Sequence, residues 1–282
     1  MASKPLEGMV ALVTGAGAGQ GISGVAETGP GIGSEIARRL ADQGARVAVN
    51  DVDTGALERC VEEFRRQGIE VLAVPGSVAD AVQSAGIVRA TAEHFGRLDI
   101  LVNNAARGGK AIAVERMPLE EWQTTVNLNL TGPFLMSKAA VPIMRGQQFG
   151  RIINISSIAG QRVSFSNGAD YSATKAGLEG LTRHLSTEVG RYGITVNAIC
   201  CGAIMKPARK ANRSAEALRE SDSRNPVMRT GEPVDIGWMA AWLATREACF
   251  ITGQCVAVDG GATIVPGYFN AYLGGAPKKD FG

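Results

Sequence analysis

Cysteine and histidine are scarce in this chain. Cys60, Cys200, Cys201, Cys249 and Cys255 are the five thiols among 282 residues, and His94 and His184 are the two imidazoles. An odd cysteine count without C-x-x-C spacing argues against both a disulfide framework and a zinc site. Neither histidine lies near a cysteine at ligand spacing, so no metal site is expected. The thiols read instead as small buried side chains in a reduced compartment. A charge excess is missing too: 29 basic against 27 acidic residues leave a net +2, which provides no field for a nucleic-acid partner. No apolar run approaches the ~20 residues that span a bilayer, and "MASKPLEGMV" lacks the apolar core of a signal peptide. The expectation is a cytoplasmic protein without membrane contact. There is no internal repeat and no low-complexity tract.

What is present is ordinary for a globular chain, 45% hydrophobic and 20% charged, long enough for one well-buried core. Short β-branched runs alternate with amphipathic stretches. Strands are predicted at 9–16, 45–51, 69–76, 97–106, 150–157, 193–202 and 253–261. Helices are predicted at 33–44, 53–68, 80–96, 118–146, 171–191 and 233–247. Strand and helix in alternation predict a single α/β domain over 1–282, a doubly wound parallel sheet of Rossmann type with helices on both faces. Segment 203–232 is polar and basic without a clear period and reads as a mobile flap over a substrate site. Residues 262–282 form a C-terminal arm, packed or frayed.

Residues 14–33, "TGAGAGQGISGVAETGPGIG", carry a glycine signature with two possible endings. In a dinucleotide-binding βαβ unit the glycines let the backbone approach a pyrophosphate resting on a helix N-terminus. A helix starting at Gly21 would have to run through Gly29-Pro30-Gly31. Proline costs about 3 kcal/mol inside a helix and each glycine about 1, so that helix fails. Starting at Gly33 gives a clean amphipathic helix and puts Asp51 at the end of the second strand, 18 residues on. Gly15 then ends the first strand, and Gly31, Ile32 and Gly33 open the helix. An insert of about 12 residues, near 19–30, separates them; it either folds over the cofactor or bulges into solvent.

"YSATK" sets Tyr171 and Lys175 four apart on one helical face. A lysine ammonium there favours the tyrosinate, and moving a phenol from about 10 towards 7 takes roughly 4 kcal/mol. Such a tyrosine can exchange a proton with a carbonyl or alcohol oxygen. Ser157, in "NISSIAG", precedes it by 14 residues at the end of a strand. "NNAA" (103–106), "NLTG" (129–132) and "FITGQCVAVDGG" (250–261) complete a pattern that resembles the short-chain dehydrogenase/reductase family from Leu6 to Gly261.

The resemblance implies that Tyr171 is the general acid/base and that Lys175 lowers its pKa and binds the nicotinamide ribose. Ser157 would orient the substrate oxygen, with Ser156 as the fallback because the serine-to-tyrosine spacing is one longer than usual. Asn129 would anchor a water leading from the lysine to solvent. Asn103 would lie against the adenosine ribose, Val78 near the adenine, and Ile204 beside the cofactor. Asp51 would accept the ribose diol and repel a 2′-phosphate, with no arginine at Asn50 or Val52 to counter it, so NAD is the expected cofactor. A homotetramer is implied, with the helices near 118–146 and 171–191 at one interface.

The departures from the pattern are specific. Ala106 replaces a glycine and would tighten the turn if that position needs positive φ. Ser77 replaces an aspartate near the adenine. Lys206 replaces a threonine near the cofactor amide and phosphates; its charge either pairs with pyrophosphate or points to solvent. The flap charges Lys206, Arg209, Lys210, Arg213, Arg219 and Arg224 stand beside Glu216, Glu220 and Asp222. They suit an anionic substrate or a solvated helix of mixed charge. Phe165, Met205, Met228, Tyr268, Phe269 and Tyr272 are candidates for an apolar pocket. The expected activity is NAD-dependent interconversion of a small secondary alcohol and a ketone. Its rivals are an NADPH ketoreductase for acyl thioesters and a non-catalytic nucleotide-binding scaffold.

Overall fold

The computed structural model describes residues 4–17, 31–163, 167–206 and 210–265. The expected insert, Phe165, Arg209 and the tail aromatics Tyr268, Phe269 and Tyr272 lie outside the described residues. The elements run β1 (Val10–Thr14), α1 (Ile32–Asp42), β2 (Arg46–Asn50), α2 (Thr54–Arg66), β3 (Val71–Ala73), α3 (Ala81–Phe95), β4 (Ile100–Asn103), α4 (Leu119–Val126), α5 (Gly132–Gln147), β5 (Gly150–Ser157), α6 (Ala169–Val189), β6 (Ile194–Cys201), α7 (Ala215–Asp222), α8 (Pro233–Ala244) and β7 (Cys255–Val258).

All seven strands pair in parallel, in the order β3-β2-β1-β4-β5-β6-β7. The expected doubly wound sheet is therefore present. Alternate residues of β1 supply both faces: Ala11 and Val13 pack with α1, α2 and α8, while Val10 and Leu12 pack with α3 and α5. That two-sided burial is why the strands read as continuous apolar runs. Strand order reverses direction at β1, whose neighbours are β2 and β4, and a crevice opens there at the carboxyl ends of the strands.

Helix α1 begins where the proline and glycine costs require, with Gly31 as its N-cap, and buries Ile36, Ala37 and Leu40. Gly44, at φ +100°, turns the chain beyond it. The predicted helix over 118–146 is interrupted by a π turn at Asn127–Thr131. Pro133 has no N–H to bring to the Asn129 carbonyl, so an α-helical ladder cannot run through this point. Segment 203–232 is more structured than its lack of period suggests. Ile204 bridges Gly231, and α7 is capped by the Ser214 hydroxyl, which accepts from Ala217 N. Asp222 accepts from the Thr230 amide at 2.6 Å and from its hydroxyl at 2.9 Å. Eight residues of helix are too few to establish a period against the surrounding charges.

Thr14 joins the two halves of the sheet at the crevice. Its hydroxyl, 1% exposed, donates to Val102 O and accepts from the Asn104 and Ala105 amides, at 3.2, 3.0 and 3.1 Å. Thr14→Val leaves two half-buried N–H groups without their acceptor and should destabilise the protein by about 1–3 kcal/mol in denaturant unfolding, with the far-ultraviolet circular dichroism of the folded state unchanged.

Candidate active site

The first loop of the crevice is built on close backbone contact. Gly15 has φ +62°, and a Cβ there would lie 2.6 Å from Ala105 Cα. A Cβ on Gly33 would lie 2.4 Å from Asn104 Nδ2 and 2.6 Å from Gly15 O. Asn104 locks this junction by donating to Thr14 O and Gly15 O, both at 2.9 Å. Ala106 is not among the non-glycine residues at positive φ, so the missing glycine costs that turn nothing.

Asp51 follows β2 and turns towards this loop. Its Oδ2 accepts from Gly17 N at 3.0 Å and its Oδ1 from Asp53 N at 3.1 Å. Burial raises its pKa above the usual carboxylate value, and the backbone N–H donors oppose that rise. Asn103, 3% exposed at the end of β4, donates to Asn154 Oδ1 at 2.8 Å, and its own Oδ1 is buried without a partner. Val78 is buried against the start of α5, where a Cβ on Gly132 would come within 3.0 Å of it. Ile32 and Ile204 pack against the same apolar cluster as α1. Lys206 reaches back to the start of α1: a Cβ on Gly31 would lie 3.9 Å from its Nζ. The glycine cradle and the orphaned Asn103 oxygen are features that a nucleotide's backbone and hydroxyls fit.

Tyr171, Lys175 and Ser157 converge on the other side of the crevice. The Ser157 side chain faces the phenol and acts to lower its pKa. Lys175 Nζ lies 5.5 Å from the Tyr171 ring centre and donates to Ile155 O at 2.8 Å. Adjacent strand residues face opposite ways, which separates the two serines. Ser156 is 2% exposed and faces Glu179 of α6, while Ser157 faces the tyrosine.

The expected effect of lysine on tyrosine requires correction. Burial pushes Tyr171 up to about 12, against the effect of Ser157, and pushes Lys175 down to about 8. The amine is committed to a backbone carbonyl rather than the phenol, and burial is the largest cause of both shifts. Without further positive charge, Tyr171 is a neutral phenol.

Asn129 sits in the π turn and clips the chain leaving β4. Its Oδ1 accepts from Arg107 N and its Nδ2 donates to Arg107 O, both at 2.9 Å, with Thr174 Oγ1 at 3.4 Å. This holds segment 107–113 beside α6, where a Cβ on Gly109 would approach Tyr171 Cβ to 2.8 Å. Asp170, fully buried, accepts from Thr125 Oγ1 at 2.6 Å and braces the start of α6. Sequence reasoning missed Arg107, Thr125 and Asp170. Pro133 was the available signal for the π turn. Met205 is buried and Met228 half exposed. Lys210, Arg224 and Arg229 pair with Glu232, Glu220 and Asp235 at 3.2, 2.8 and 2.7 Å, as expected of mixed charge on a solvated face.

A family model described as Enoyl-(Acyl carrier protein) reductase, of the short-chain type, matches residues 24–263. The chain belongs to the short-chain dehydrogenase/reductase family. Among curated relatives it is 36% identical over 267 residues to a (2S)-[(R)-hydroxy(phenyl)methyl]succinyl-CoA dehydrogenase subunit of Thauera aromatica, covering 93% of this chain and 99% of that one. It is 38% identical over 258 residues to a 3-oxoacyl-[acyl-carrier-protein] reductase of Synechocystis, covering 91% and 97%. A solved Burkholderia xenovorans structure, described as a short-chain dehydrogenase/reductase, superposes with a TM-score of 0.84 at 32% identity, covering 93% and 99%. As a short-chain dehydrogenase/reductase, the protein is an oxidoreductase of a family that binds a nicotinamide cofactor and acts on small molecules. No helix among the described residues is long and apolar enough to cross a membrane.

The buried lysine has a cost that can be measured. Its pKa is about 8 when folded against 10.5 when free, so at pH 7 the folded chain holds a charge that burial disfavours by about 3 kcal/mol. Between pH 8 and 10.5 the unfolded chain binds the extra proton, and the penalty fades as pH rises. Lys175→Met should therefore be more stable than wild type at pH 7 by up to about 3 kcal/mol, with the difference shrinking towards pH 10.5. Paired denaturant curves at pH 7 and 10 check this. The comparison between proteins cancels Tyr171 and the buried thiols, which shift stability the other way.

Proposed function

We propose that the protein is an NAD-dependent oxidoreductase that interconverts a secondary alcohol and a ketone, as a single catalytic domain that assembles into homotetramers. The observation that carries the reading is the convergence of Ser157, Tyr171 and Lys175 at the carboxyl edge of β5, across the crevice from Asp51. When bound, the nicotinamide supplies the chemistry of hydride transfer to and from the carbinol carbon.

The chain's own residues handle the proton and the orientation. Ser157 holds the substrate oxygen, and Tyr171 exchanges a proton with it at the phenol oxygen. In ketone reduction the neutral phenol, the form that burial favours, donates. In alcohol oxidation the phenol must first ionise, and moving it from about 12 to near 7 takes about 7 kcal/mol. Protonated Lys175 and the positive charge of an oxidised nicotinamide both act in that direction. Asp51 supports NAD over NADP: a carboxylate suits a ribose diol and repels a 2′-phosphate.

A second reading concerns the substrate. The Thauera aromatica and Synechocystis relatives are both named for acyl groups carried on a coenzyme or carrier protein. Their names favour a hydroxyacyl or oxoacyl thioester, and reduction of a 3-oxoacyl thioester with either nicotinamide would support it.

Tyr171→Phe should lower kcat at least ~10³-fold while the dissociation constant for NAD stays within about twofold; retained turnover in a folded variant would refute the proton role. Side-by-side calorimetric titration should give tighter binding of NAD than NADP, and Asp51→Ser should narrow the ratio by on the order of tenfold. A wild type that prefers NADP would remove the role given to Asp51.

A further inference from the structure

The start of α6 is held by its neighbours rather than by its own cap. Gly168 is the N-cap and offers no side chain to the first-turn amides, so the orientation of the turn that carries Asp170 and Tyr171 is left to tertiary contact. Asp170, fully buried, makes that contact. Its Oδ2 accepts from Thr125 Oγ1 of α4 at 2.6 Å, a shorter bond than the 3.0 Å from the same hydroxyl to Glu121 O in its own helix. A hydroxyl has one proton to give, and the shorter contact claims it.

The other side of Asp170 meets the loop after β4. A Cβ on Gly109 would lie 2.7 Å from Asp170 Oδ1 and 2.8 Å from Tyr171 Cβ, and a Cβ on Gly168 would crowd both that oxygen and Lys110 O more closely still. Glu121, one turn before Thr125, accepts from Arg107 and, at 3.5 Å, from Lys110. One face of α4 therefore holds both the loop and the helix start, with Asp170 and Tyr171 clamped between them. For stability alone an apolar side chain would serve as well, since Asp170 Oδ1 is buried without a partner and costs free energy. What the carboxyl adds is a single defined orientation.

We propose that Asp170, through Thr125, is a positioning residue for proton transfer: the pair fixes the angle at which α6 presents the Tyr171 phenol to Ser157 and to the substrate oxygen that Ser157 holds. This rests on reading Tyr171 as the proton donor and acceptor. Loss of the Thr125 contact frees the first turn of α6 to shift, and reacting atoms about 3 Å apart tolerate little of that.

The test uses the full chain carrying Thr125→Val, Thr125→Ser, Asp170→Ala or Asp170→Asn, with Tyr171→Phe alongside. Thr125→Val is nearly isosteric and leaves in place the titratable groups that face the phenol, Lys175 and the Cys201 thiol, as well as Asp170 itself. Two quantities are measured on folded protein: reduction of acetoacetyl-CoA by NADH, and the ring-carbon magnetic resonance of Tyr171 in tyrosine-labelled protein, identified by its loss in Tyr171→Phe. The valine and alanine variants should lower kcat by on the order of 10–100-fold while the dissociation constant for NADH stays within about twofold. They should also move the Tyr171 resonance and leave that of Tyr192 in place. Serine should restore both quantities, and asparagine most of kcat. Variants that are merely less stable, with wild-type kcat and an unmoved Tyr171 resonance, would overturn the positioning role and leave the proton role intact. Turnover retained in Tyr171→Phe would overturn both. A wild type inactive on this thioester removes only the acyl reading, and the Tyr171 resonance then decides the positioning role by itself.

Discussion

The hydrogen bond from Lys175 Nζ to the Ile155 carbonyl, at 2.8 Å, is the contact on which the arrangement of the site depends. It pins α6 to the carboxyl end of β5, one turn from Tyr171 and two residues from Ser157. The amine is 3% exposed and therefore out of reach of water, which is why its pKa falls while that of the neighbouring phenol rises. Both groups are held in their neutral direction by the same desolvation. The low dielectric that makes the isolated pair poor at carrying charge also makes it responsive to charge brought in from outside. A cation docking in the crevice acts on Tyr171 far more strongly than it would on an exposed phenol.

Much of this was legible in the chain because it is written locally. The start of α1 follows from the cost of proline and glycine inside a helix, and the position of Asp51 follows from counting forward from Gly33. Tyr171 and Lys175 share a face because helical residues four apart must. The choice between Ser156 and Ser157 needed only the phase of β5, since neighbouring side chains on a strand diverge.

What was not legible depends on contacts across the sequence. The sign of the Tyr171 shift is set by how deeply α6 is buried, which no spacing reveals. Asn129 holds Arg107 from 22 residues away, and Asp170 meets Thr125 across 45. The π turn was within reach of sequence reasoning, since Pro133 deprives Asn129 of its helical donor. A single proline in a long amphipathic stretch is nevertheless easily absorbed into a continuous helix. The approach of Lys206 to Gly31 depends on the Ile204–Gly231 bridge, a contact that no spacing reveals.

The two edges of the sheet treat buried polar groups differently. At the amino edge Arg151 is 2% exposed, yet it donates to Thr245 O, Gly150 O and Gly193 O and stacks 4.4 Å from the Phe149 ring centre. Asp99 nearby is fully buried and accepts from Arg97 and from Val10 N. Both are closed networks, which rigidify and bind nothing further. The buried side-chain oxygens left without a partner among the described residues belong to Asn103, Asp170 and Asn225. Asn103 ends β4, Asp170 opens the helix after β5, and Asn225 lies against Gly260 just past β7. All three follow strands at their carboxyl ends. An unpaired buried oxygen costs stability, and these three lie on the side of the sheet where the cofactor site is proposed.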